Sequence, residues 1–123
     1  MDDHLDKVKE FLNDLDLGID QEDVGEQIVI VNDEDRGLND LIIDCEDPIL
    51  VLEQAIMPIP DKPGDLYKRL LEMNRALIHG AFAVDEENSL VVFRDTLRLD
   101  TLDRAELEGS INALGLALAE NAE

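Results

Sequence analysis

A chain of 123 residues with one cysteine, no tryptophan, one tyrosine and three phenylalanines is excluded from several protein classes before any pattern is read. The lone Cys45 rules out an intramolecular disulfide framework and a cysteine-based zinc site. So few aromatics force an aliphatic core, and they remove the stacking platform that single-stranded nucleic acid requires. Basic residues are scarce as well, with 10 Lys and Arg against 31 Asp and Glu for a net charge of −21. That field repels phosphate backbones and anionic bilayers, so neither nucleic acid nor membrane is an expected partner. No apolar run reaches the length of a bilayer span. The start, MDDHLDKVKE, lacks the basic and apolar regions of an export signal, so the cytoplasm is the expected location.

What the chain does contain is enough apolar material to fold. Hydrophobic residues make up 45% and charged residues 33%, which suits one globular domain over 1–123 rather than a disordered acidic chain. The charge is uneven. Met1 to Asp47 holds 17 acidic and three basic residues, whereas Pro48 onward holds 14 and seven. Such an excess either presents an acidic face to a basic partner or simply keeps the protein soluble.

Periodicity then orders the elements. Leu5, Val8, Leu12 and Leu15 recur at helical spacing between His4 and Leu17, with Gly18 as the expected stop. Ile19 to Glu26 reads as an acidic connector. Three strands are expected next: Gln27 to Asn32, Leu38 to Cys45, and Ile49 to Ile59. In the second of these, Leu41, Ile43 and Cys45 share one face, and Asp40, Ile42 and Asp44 share the other. Short polar turns between the strands predict an antiparallel meander.

A Pro/Gly loop, PDKPGD, precedes a second helix capped by Gly64 or Asp65 and ended at His79-Gly80. Along it Leu66, Leu70, Met73 and Leu77 form one stripe, and Tyr67, Leu71, Asn74 and Ile78 form an adjoining one. That arc is wider than packing on a single sheet requires, so the second stripe is expected to meet either a second copy or the Pro58 to Pro63 loop. Ala81 to Asp85 and Leu90 to Leu99 should pair across Glu86 to Ser89, with Asn88 taking the positive φ. A last helix starts near an N-cap at Thr101 or Asp103 and buries Leu107, Ile111, Leu114 and Leu118. Gly109 and Gly115 weaken it, and local close packing is the only reason the sequence offers for them. The fold class is α+β, in the order α-βββ-α-ββ-α, with helices packed on a twisted antiparallel sheet.

No catalytic signature emerges. Cys45 lies on the apolar face of a strand, where a structural thiol is expected. His4 and His79 sit at helix ends, and a packed or dipole-stabilised role suits His79 better than acid–base catalysis. The acidic run from Asn32 to Asp40 fails as a calcium loop. Counted from Asp33, its glycine falls at position five and Asp44 occupies position twelve. Phosphate-binding glycine motifs are missing too. No catalytic residue, metal or cofactor is therefore expected.

The segment LYKRLLEMNRALIHGAFAVDEENSLVVFRDTLRLDTLDRAELEGSI resembles the type III secretion chaperones of the Tir/CesT kind and the related YbjN domain. Leu70, Leu71 and Asn74 are similar to the family's Leu-Leu-x-x-Asn core. Gly80 and Ala81, the strand-turn-strand around Asp85 to Leu90, and Leu102-Asp103 fit the same pattern. The resemblance implies a bacterial, non-enzymatic homodimer that holds a protein or peptide client. Carried onto this chain, it puts Leu70, Leu71, Asn74, Leu77 and Ile78 near a dimer contact, while the client surface is not defined by motif. The YbjN likeness implies an alternative: a small regulatory or sensory domain that binds a folded partner or ligand. The apolar strand ILVLEQAIMPI also offers an edge for strand addition by a peptide.

Overall fold

A computed structural model describes residues 4–120, with side chains as far as Leu118. The elements run α1 (His4–Asp14), β1 (Ile19–Asp23), β2 (Ile28–Asp33), a 3₁₀ turn (Glu34–Arg36), β3 (Leu38–Glu46), β4 (Ile49–Pro58), α2 (Leu66–Asn74), β5 (Ala81–Asp85), β6 (Leu90–Arg98) and α3 (Arg104–Glu120). The six strands form one antiparallel sheet in the order β1-β2-β3-β4-β6-β5. The expected α+β arrangement stands, with one strand more than the sequence suggested.

That extra strand is β1, in the stretch read as a connector. IDQED has no apolar alternation, so nothing local marks it as extended. Its conformation comes from neighbours: Ile19 pairs with Val31 and Asp23 with Ile28. Two side-chain ties reinforce it, Lys9 Nζ to Glu22 at 2.9 Å and Asn32 Nδ2 to Asp20 at 2.7 Å. Asn32 also accepts from the Asp40 backbone N–H at 2.7 Å, so one carboxamide links β1, β2 and β3.

The helix ends differ from expectation for local reasons. Asp16, with φ of 60°, ends α1 in place of Gly18. Leu17 N–H reaches back to Leu12 O at 2.9 Å and Asp16 N–H to Asn13 O at 3.1 Å, which satisfies the last carbonyls. Aspartate tolerates this left-handed conformation better than most side chains. Helix α2 stops at Asn74, a turn earlier than expected. The N–H groups of Arg75, Ala76 and Leu77 bond the carbonyls three residues back, so Arg75 to Ile78 continues as a tighter turn. Gly80 then takes φ of +73° against the Phe93 ring, where a Cβ would collide. In the β5–β6 turn the positive φ falls on Ser89, not Asn88, because Asn88 instead uses its carboxamide to bond the Asp85 carboxylate.

Alternation decides where the core lies. Val29, Ile43 and Leu52 are register neighbours on one sheet face, as are Gln54, Phe93 and Phe82. Onto this face pack Leu5, Val8 and Leu12 of α1, Leu70 of α2, and Leu107, Ile111 and Leu114 of α3. Buried Gln54 is fully engaged, accepting from Asn39 N–H and donating to Gly37 O. Asp103 caps α3 by accepting the Glu106 N–H at 2.8 Å, and Ser110 Oγ donates to Asp95 of β6 at 2.7 Å. Gly115 lets α3 approach the 3₁₀ turn, since a Cβ there would sit 2.8 Å from Arg36 O. Gly109 has no such neighbour, and its Cβ would meet only His79 at 3.9 Å.

Candidate functional site

The two stripes of α2 separate as their spacing requires. Leu70 is 7% exposed and packs into the core, with Leu66, Met73 and Leu77 half-buried beside it. On the other side Leu71 is 71% exposed, Tyr67 is exposed, and Ile78 stands 92% exposed in the turn that follows. Asn74 belongs to neither group chemically. It accepts from Phe82 N–H at 2.7 Å and donates to Phe82 O at 3.1 Å, clamping the edge strand β5 to α2. Of the five residues singled out for a dimer contact, Leu71 and Ile78 thus lie uncovered, while Leu70, Asn74 and Leu77 hold the helix in place.

The loop before α2 does not cover that stripe. Ile59, Pro60 and Pro63 share a shallow depression with Tyr67 and Val84, which leaves Leu71 and Ile78 in solvent. Charge distinguishes this region further. Residues 62–80 hold four basic side chains (Lys62, Lys68, Arg69 and Arg75) against two acidic ones (Asp65 and Glu72), a local excess of +2 in a chain of −21. On the inner side of α2, a cleft of about 530 Å³ lies between Leu66, Met73, Met57 and Leu118.

A second surface escaped the sequence reading. All three helices contribute their buried residues to one face, so among the described residues no helix covers the opposite face. There Ile30 pairs with Ile42, Ile42 with Glu53, and Glu53 with Arg94, in one row across four strands. Ile28, Ile49 and Val51 extend the apolar area around Asp44. Burial first, then the adjacent Glu46 and more distant Glu26, push the Asp44 carboxyl above its ordinary range. The signal for this surface was present in the alternation of each strand, but which face the helices would choose was not.

The residues that could have supported catalysis are dispersed. Cys45 is buried on the core face of β3. His79 is exposed beside Gly109, and His4 lies 3.7 Å from Asp47. In the acidic turn, Asp33 faces Arg36 at 3.5 Å. Among the described residues no group of three or more His, Cys, Asp or Glu is placed to hold a metal ion, and no helix is long and apolar enough to cross a membrane.

Comparison with known proteins places this architecture. YbjN from E. coli superposes with a TM-score of 0.70 at 17% identity, covering 94% of this chain and 89% of that one. A chaperone–effector complex, HopA1-SchA, matches with a TM-score of 0.66 at 15% identity over 93% and 89% of the two chains. The ExsC-ExsE complex matches with a TM-score of 0.54 at 20% identity over 92% and 86%. At these identities the likeness is one of fold. No curated protein matches the sequence. The family model CesT_Tir_1, however, matches residues 1–123. With that match over the whole length, and a fold shared with YbjN and the HopA1-SchA chaperone–effector complex, the chain belongs to the CesT_Tir_1 family.

Proposed function

We propose that this protein works without catalysis, as a homodimer that holds a segment of a client protein. The observation that carries the reading is the outer side of α2, where Leu71 and Ile78 are exposed on a stretch with a local basic excess. Two chains of net −21 repel each other over most of their surfaces. Along residues 62–80 that acidic repulsion is relieved, and a two-fold axis would set the apolar patch against its own copy. In this arrangement Leu71 and Ile78 make the contact, while Leu70, Asn74 and Leu77 fix the helix that presents them.

Client holding draws its support from family membership and from the chaperone–effector complex among the similar structures. The dispersal of Cys45, His4 and His79 fits a binding role better than an enzymatic one. The test couples co-precipitation from the native host with limited proteolysis. A client recovered with one flexible segment shielded from protease is the expected outcome. Recovery of folded proteins alone, with no shielded segment, refutes client holding.

A further inference from the structure

We propose that the helix-free face of β2, β3 and β4 is the seat of the client, and that it selects a segment in which branched apolar side chains are interspersed with lysine or arginine. This rests on the client-holding reading above and adds to it a place and a chemistry. The face joins two features that ask for different things from an occupant. Ile28, Ile30, Ile42, Ile49 and Val51 form an aliphatic area that gains by being covered. Within and around it stand Asp44, Glu46, Asp23 and Glu26, which an uncharged apolar partner would leave desolvated and without a cation.

The local cations do not resolve that conflict. Arg94 lies 3.5 Å from Glu53, and Arg98 is engaged with Asp100 at 2.9 Å. Asp44 makes no ion pair among the described residues. Its surroundings are the aliphatic rows and the Glu46 carboxylate, so its charge is held there at a cost to stability. A second copy of this chain is a poor occupant, because it would set these carboxylates against an identical set. A segment carrying lysine or arginine meets both demands. Its long side chains lay their methylenes on the isoleucines and bring their charge to Asp44 and Glu46. Complementarity of this kind also speeds encounter, since the whole molecule attracts cations.

The test uses a short fluorescein-labelled peptide of interspersed valine, serine and lysine, titrated with the full chain and followed by anisotropy. Two control peptides replace every lysine by glutamate or every valine by serine. The lysine–valine peptide should bind, and each control should bind at least about tenfold more weakly. Ile42→Ser and Asp44→Asn should each weaken the lysine–valine peptide by about tenfold, the latter with a shallower salt dependence. Leu116→Ser, at an exposed position of α3, should leave the affinity unchanged.

Three results overturn the proposal. Equal binding of the serine-for-valine control means that only bulk charge attraction is at work. Undiminished binding to both Ile42→Ser and Asp44→Asn puts the segment on another surface, which sinks the assignment but leaves client holding intact. If none of the peptides binds, the face has no such selectivity, and client holding is decided separately by the proteolysis experiment. Asp44→Asn should fold at least as stably as the parent, so a misfolded Ile42→Ser would not leave the question open.

Discussion

Leu70 and Leu71 are chain neighbours with opposite surroundings, and substituting each by aspartate separates folding from assembly. Fully burying a leucine or isoleucine side chain contributes about 2 kcal/mol. Leu71 and Ile78 retain 71% and 92% of their accessible surface, so burying both in both copies of a symmetric dimer contributes about 6 kcal/mol. Leu71→Asp removes the leucine's share twice, about 3 kcal/mol, or more than a hundredfold in the dimer dissociation constant. Desolvating two new carboxylates adds to that loss. The monomer's own stability should hardly move, because the side chain leaves no cavity. Leu70→Asp instead opens a core cavity and buries a charge, at a cost of about 4 kcal/mol or more. Light scattering at micromolar concentration, paired with urea unfolding, reads both outcomes. The parent should weigh twice 13.8 kDa, Leu71→Asp should weigh 13.8 kDa and stay folded, and Leu70→Asp should be largely unfolded. A monomeric parent, or a Leu71→Asp protein that remains dimeric, refutes the assignment of the outer α2 stripe.

Other substitutions probe the scaffold. Gly115→Ala should destabilise, because its Cβ would press on the Arg36 carbonyl, whereas Gly109→Ala should stabilise by about 0.5–1 kcal/mol; paired thermal melts decide both. Asn74→Ala removes two hydrogen bonds to Phe82 and should cost about 1–3 kcal/mol, with faster amide exchange confined to β5 and α2. The Asp44 carboxyl is raised above its ordinary 3.8, so the native chain holds an extra proton between 3.8 and the folded value. Stability therefore falls as pH rises through that window, and the ionised group is a net burden at neutral pH. Asp44→Asn should raise the melting temperature at pH 7, and the gain should vanish below pH 3.8. An equal gain at all pH values would contradict that origin.

Local patterns were legible wherever a residue's neighbours in sequence are also its neighbours in space. Leu5, Val8 and Leu12 announced α1 and its buried side, and the alternation through Leu41, Ile43 and Cys45 announced which side of β3 is dry. The two stripes of α2 were readable for the same reason, since helical spacing alone divides Leu70 from Leu71. Asp103 was readable as a cap because its partner, the Glu106 N–H, is only three residues away.

Features that depend on distant segments could not be read this way. IDQED is a strand only because β2 offers it a ladder and Asn32 and Lys9 hold it there. Gly115 has a purpose only once α3 lies against the carbonyl of Arg36. Asn74, by sequence a member of the outer stripe, is taken up by the β5 backbone eight residues further on. The amino-acid sequence by itself determined how each helix and strand divides into wet and dry sides, because side-chain direction follows from backbone period. Only the tertiary structure decided that all three helices would cover the same face of the sheet. A sheet has two faces and the helices choose between them through packing across the whole chain, so the uncovered isoleucines around Asp44 became visible only in the folded molecule.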